Sequence, residues 1–113
     1  MFAAAHQLEE LITIVDYNGW QATGRSDQIM ALASLTEKWQ AFGFETHEVD
    51  GHCMTSLWGA MRAAIQTTGK PSAIIARTVK GKGVSFMEDD NNWHYRVPND
   101  EELSAALAEL EMQ

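Results

Sequence analysis

Apolar residues fall in short runs separated by polar, glycine-bearing stretches. Leu11-Ile12-Thr13-Ile14-Val15 is rich in β-branched side chains, the pattern of a strand covered on both faces, and Ser72-Ala73-Ile74-Ile75-Ala76-Arg77 also reads as a buried strand. Phe44 to Val49 reads as a further strand, although Glu45, Thr46, His47 and Glu48 leave only a weak alternation. Helical spacing fills the intervals. Ser34 with Glu37 predicts a capping box, and Leu35, Trp39 and Phe42 follow at helical spacing up to Gly43, a natural stop. Met54, Leu57, Trp58, Met61 and Ile65 mark the apolar face of a second helix that ends near Gly69-Lys70-Pro71. Asn99 with Glu102 predicts another cap, ahead of a terminal amphipathic helix striped by Leu103, Ala106, Leu107 and Leu110. Trp39, Phe42, Trp58 and Met61 are assigned to the core. Met1 to Leu8 are strong helix formers with no capping residue ahead, so they read as the tail of a helix or as a frayed terminus.

Strands alternating with helices predict an α/β fold with a parallel sheet, since parallel strands need crossover connections. Three strands make a narrow sheet with two edges to protect, so further sheet is expected from elsewhere. Each strand runs into a polar loop: Asp16-Tyr17-Asn18-Gly19, Asp50-Gly51-His52, and Lys80-Gly81-Lys82-Gly83. In a parallel sheet such loops gather along one edge, where ligands bind. A long irregular segment runs from Lys80 to Pro98.

The 113 residues, 45% of them apolar, suffice for one domain or a piece of one. A net charge of −8 supplies no basic field, which argues against nucleic acid and against a membrane surface as partners. No apolar run approaches the roughly 20 residues of a bilayer span. The single cysteine, Cys53, cannot form an internal disulfide, and no signal-peptide pattern is present, so a cytoplasmic location is expected.

Candidate chemistry sits in the loops. Asp16-Tyr17-Asn18-Gly19 is a common turn sequence, and equally a place where a side-chain oxygen can be offered to a cation. The Lys80-Gly81-Lys82-Gly83 run can present N–H and ammonium groups to an anion, or be a solvated loop. His94 follows Trp93 in the long loop; an imidazole there can pack, donate a hydrogen bond or transfer a proton. Asp50 and His52 are expected to cap the helix that comes after them, and Cys53 is not expected to be a catalytic thiol.

Taken together, Leu11 to Asn18 with Gln21 and Gly24, Glu37-Lys38-Trp39, Phe42-Gly43 and Glu48-Val49-Asp50-Gly51-His52 resemble the thiamine-diphosphate half of transketolase. Lys70-Pro71, Ala76 through Glu88, and Trp93-His94 continue the resemblance in the same order, over essentially the whole chain. It implies that residues 1–113 are a single partial domain, part of a parallel three-layer αβα sheet of the thiamine-diphosphate-binding fold. In the family, a Gly-Asp-Gly segment whose aspartate binds metal lies upstream, and this chain resembles the C-terminal portion beyond that segment.

The resemblance further implies a ketol transfer, in which a two-carbon unit passes from a ketose phosphate to an aldose phosphate, with thiamine diphosphate and Mg²⁺ (or Ca²⁺ or Mn²⁺) as cofactors. It assigns Asn18 and the main-chain carbonyl of Trp20 to the metal, Asn18, Lys80 and His94 to the cofactor, and His94 to catalysis. The implied partners are sugar phosphates and a complementary pyrimidine-binding half or subunit, in a homo- or hetero-oligomer. Tyr95 and Cys53 depart from the family pattern, which commonly has glycine and aspartate there, and His6 is assigned a packing role. Two alternatives stand beside this reading. One is a catalytically inactive fragment or assembly partner. The other is a different thiamine-diphosphate enzyme such as a deoxyxylulose-phosphate synthase.

Overall fold

A computed structural model describes residues 1–112. The chain forms two compact units, one of Met1–Tyr17 with Ala31–Thr78, the other of Asn18–Met30 with the segment from Val79 onward.

The first unit carries the sheet. Helix α1 (Phe2–Ala5) precedes β1 (Ile12–Tyr17). Three short elements, β2 (Trp20–Gln21), β3 (Gly24–Arg25) and α2 (Ser26–Ile29), then belong to the second unit. The first unit resumes with α3 (Leu35–Ala41), β4 (Glu45–Asp50), α4 (Met54–Gln66) and β5 (Ser72–Arg77). Its strands are parallel in the order β1-β5-β4, so the last strand lies in the middle. The sequence of β5 explains the placement. Ser72 to Ala76 are all buried, and only a run without charged side chains can occupy a position paired on both edges. On one face Ile74 packs with Ala60 and Ala64 of α4 and with Ile12, Val49 and Met61. Burying a side chain such as Ile74 or Ile75 contributes about 2 kcal/mol.

Polar β4 takes an outer position. There Lys70 pairs with Glu45 at 2.5 Å, and Arg77 Nε donates to Glu48 Oε1 at 2.6 Å. The Thr36 hydroxyl donates to Glu48 Oε2 at 2.6 Å, and this bond, with that from Arg77, holds the Glu48 carboxyl below the usual carboxylate range. A lowered value in the folded chain means that the stabilisation is present above the unfolded carboxylate range and is lost as pH falls through the folded one. The Glu48 side chain is 38% exposed, which screens the pair, so Glu48→Gln should cost only about 0.5 kcal/mol at neutral pH and nothing in acid. Denaturant titrations at pH 7 and pH 3 check this. An equal loss at both would refute it.

Several expectations needed correction. The predicted core residues Trp58 and Phe42 are 63% and 51% exposed, and Met54 and Ile65 are exposed as well. The buried stripe of α4 is carried by the small residues Ala60 and Ala64, which let the helix lie close to the sheet. Trp39 does pack, edge-on against Phe44, with ring centroids 4.7 Å apart. Only half of the first capping box forms. Ser34 Oγ accepts from Glu37 N–H at 3.3 Å, but Ser34 adopts φ +53°, not the extended backbone from which its own N–H could meet the glutamate. Gly43, at φ +88°, ends the helix as expected.

The second unit contains elements that the pattern did not predict. Strands β2 and β3 form a small antiparallel hairpin, which leads into the single turn of α2. The long irregular segment holds a 3₁₀ turn at Asn91–His94, whose start Asp90 caps by accepting from Asn92 N–H at 2.9 Å. Helix α5 (Asp100–Glu111) has the complete capping box: Asn99 and Glu102 each accept from the other's backbone N–H, at 2.9 and 3.0 Å. Ala106 is buried, but Leu103, Leu107 and Leu110 remain about half exposed, so the predicted stripe is only partly covered. No helix among the described residues is long and apolar enough to cross a membrane.

Candidate functional site

Register sets the first part of the geometry. Tyr17, Arg77 and Asp50 are aligned across the three strands, so β1, β5 and β4 all end on one edge and their loops leave from it. At that edge Thr78 Oγ1 donates to Asp16, and Gly51 N–H donates to Arg77 O at 2.7 Å. Gly51 has no room for a Cβ, which would sit 2.5 Å from Thr78 Cγ2. Asp50 does not cap α4 as predicted: its Oδ1 accepts from His52 N–H at 2.9 Å in a turn, and it is Cys53 that stands at the cap position. His6 packs on Phe2, with ring centroids 4.2 Å apart.

Asn18, Trp20, Lys80 and His94 all lie in the second unit. Asn18 Oδ1 accepts from Trp20 N–H at 2.9 Å. Ser26 N–H donates to Gly19 O at 2.9 Å, which makes Gly19 and Ser26 a hydrogen-bonded pair and Trp20 and Arg25 a non-bonded one. The Trp20 N–H and C=O therefore both point off the outer edge of the hairpin, towards the side where Asn18 sits. An amide oxygen has two lone pairs, and the bond from Trp20 uses one. The other, with the Trp20 carbonyl, gives two hard oxygen donors of the type that Mg²⁺, Ca²⁺ or Mn²⁺ accepts. These donors fit a cation as part of a ligand set. No group of three His, Cys, Asp or Glu side chains is arranged to hold a metal among the described residues.

The Lys80 loop is closed on itself. Asp89 N–H donates to Lys80 O at 2.8 Å, and the turn passes through Gly81 at φ +72°, where a Cβ would lie 2.4 Å from Met87 O. Lys80 is half-buried, while exposed Lys82 pairs with Glu88 at 3.2 Å. His94 is exposed at the end of the 3₁₀ turn, its ring edge-on to Tyr95 at 4.5 Å. Trp93 anchors that turn through Nε1, which donates to Phe86 O at 3.0 Å, and Arg96 lies over the Trp93 ring at 4.4 Å. Asn91 Nδ2 ties the same turn to the hairpin by donating to Gln21 O and Ala22 O, at 3.0 and 3.1 Å. No hydrogen bond joins the His94 side chain to Asn18, Trp20 or Lys80 among the described residues.

Two residues that the sequence pattern did not single out join the hairpin to the Lys80 loop. Asp89 accepts from both terminal nitrogens of Arg25, Nη1 at 2.6 Å, and from Trp20 Nε1 at 2.8 Å. The Arg25 guanidinium also lies over the Trp20 ring, 3.7 Å from its centroid. The bonds from Arg25 and then Trp20 hold the Asp89 carboxyl below the usual range. A contact between residues 64 apart leaves no periodic signal. The one available hint was scarcity: 8 basic residues face 16 acidic ones, so an arginine in a polar turn has an abundance of acidic partners.

A family model described as the thiamine diphosphate binding domain of transketolase matches residues 1–113. The chain is 42% identical, over 108 residues, to one subunit of the apulose-4-phosphate transketolase of Actinobacillus succinogenes, covering 96% of this chain and 39% of that one. It is 40% identical over 113 residues to a 6-deoxy-6-sulfo-D-fructose transketolase subunit, SqwG, of a Clostridium species, covering all of this chain and 41% of that one. The chain thus spans about two fifths of the length of these curated relatives. Among solved structures, a transketolase from Campylobacter jejuni superposes with a TM-score of 0.89 at 25% identity, over 97% of this chain and 17% of that one.

Proposed function

Given that the chain belongs to the transketolase family, within its thiamine-diphosphate-binding domain, we propose that it is the cofactor-binding part of a ketol-transferring enzyme completed by a second subunit. The reaction would move a two-carbon unit from a ketose phosphate to an aldose phosphate. When bound, thiamine diphosphate supplies the carbanion chemistry of that transfer, and Mg²⁺ neutralises its diphosphate. In this reading Asn18 Oδ1 and the Trp20 carbonyl hold the metal. Lys80 offers its ammonium group to the diphosphate or substrate, and His94 donates a hydrogen bond there and carries a proton.

The observation that carries the proposal is the outer edge of the hairpin, where two oxygen donors two residues apart stand in the segment that directly follows β1. A partner is supported by the relatives, which are named as subunits, and by apolar surface. In the sheet-bearing unit Ile14 of β1 and Trp58 and Ile65 of α4 are each more than half exposed, large apolar side chains that a partner could cover.

One observation favours the reading of an inactive fragment or assembly partner. The proposed donor pair is neutral, and no group of three His, Cys, Asp or Glu side chains is arranged to hold a metal among the described residues, so the chain by itself would hold a dication weakly. Calorimetric titration with thiamine diphosphate and Mg²⁺, on the chain alone and on the chain mixed with a pyrimidine-binding subunit, separates the two. Metal-dependent binding only in the mixture is the expected result. No binding in either leaves an assembly role and sinks the enzymatic one.

A further inference from the structure

We infer that Arg25 and Asp89 are a positioning pair: they clamp the Trp20 indole and so set where the Trp20 main chain lies, while tying it to the loop that carries Lys80. The indole is gripped on two sides, at its edge by the Asp89 carboxylate through Nε1 at 2.8 Å and on its face by the Arg25 guanidinium at 3.7 Å. With the ring fixed, the Trp20 backbone has little freedom, and its N–H is held on Asn18 Oδ1. Asp89 also fixes the other loop, because its own N–H closes the turn onto Lys80 O at 2.8 Å. One residue therefore locates both loops.

Two features separate this role from ordinary surface pairing. Asp89 adopts φ +56°, a left-handed backbone that L residues other than asparagine and aspartate seldom accept, and its side chain leaves that turn aimed at two donors from the hairpin. The Arg25 and Asp89 side chains are 38% and 49% exposed, a setting in which an ion pair adds little to global stability. A pair with five named contacts and little stabilising value is suited to holding geometry.

What is positioned rests on the proposed function, but the clamp can be tested without it. In the metal-free chain, hydrogen exchange and NMR report on Trp20 directly. Asp89→Ala should speed exchange of the Trp20 amide about tenfold and move the indole Nε1–H resonance towards its free position, with Tm lowered by no more than the roughly 4–8 °C that about 1 kcal/mol of left-handed strain on the alanine accounts for. Arg25→Lys, which keeps the charge but loses the two-pronged bond and the planar stack, should give the same signature at smaller amplitude. In the assembled enzyme, Asp89→Ala should weaken metal-dependent cofactor affinity about tenfold, and Asp89→Asn, which keeps an acceptor for the indole, should restore part of it. Unchanged Trp20 exchange and indole shift in both variants would overturn the inference. So would a loss of Tm large enough to account for the exchange by global unfolding. Failure of the wild-type assembly to bind cofactor would overturn the proposed function instead, and the exchange result alone would then decide whether the clamp exists.

Discussion

Asn18→Ala in the assembled enzyme should lower Mg²⁺-dependent affinity for thiamine diphosphate by about 100-fold or more, since loss of groups that merely support a metal ligand already costs about 10- to 100-fold. The substitution removes two things at once: an oxygen donor on the outer edge of the hairpin, and the acceptor for the Trp20 N–H. Asn18→Asp separates them. It keeps the acceptor and adds a negative charge, so the turn should persist and metal affinity should hold or increase. Calorimetry with Mg²⁺ at fixed cofactor gives both values. Equal affinity in wild type and Asn18→Ala would remove Asn18 from the metal site, and weak binding by Asn18→Asp with an intact turn would mean that the site does not accept a dication there.

The second large effect is structural and falls on the Lys80 loop. Gly81→Ala should cost about 3 kcal/mol, part from the left-handed backbone at φ +72° and part from a Cβ that would meet Met87 O at 2.4 Å. Neither cost can relax locally, because the obstructing atom is backbone and the turn is closed by the Asp89 N–H bond to Lys80 O. Hydrogen exchange should show the segment from Lys80 to Asp89 opening while the β5 amides stay protected. Wild-type protection throughout that segment would show that the loop tolerates a side chain, and the close-packed turn would have to be given up.

How much of this was readable depended on the range of the interaction. Strand β5 is legible from Ser72 to Arg77 by sequence alone, because the uncharged run Ser72 to Ala76 of isoleucines and small residues has few other places to go. Asn99 and Glu102 were equally plain, since a capping box is built from residues three apart. Trp58 and Ala60 misled for the opposite reason. Hydropathy ranks the indole above the methyl group, but a helix approaching a sheet closely buries its smallest side chains, and Ala60 and Ala64 supply that contact. The hairpin escaped notice because its strands are two residues each, too short for any alternation. The loops at the carboxyl edge were legible as a group, since each comes after a strand and carries glycine. The residues that aim them were not, because Asp89 reaches Arg25 and Trp20 across more than sixty positions.

The unit that holds Asn18, Trp20, Lys80 and His94 is drawn from two stretches of chain, with a stretch that carries β4 and β5 between them. That has a consequence for biosynthesis. Arg25 leaves the ribosome 64 residues ahead of Asp89, and at about 5–20 residues per second the wait is roughly 3–13 s. For that interval the nascent hairpin lacks its counterpart. A translational pause placed before residue 89 would prolong this exposure, and it is during such a pause that a chaperone would find residues 18–30 open to capture.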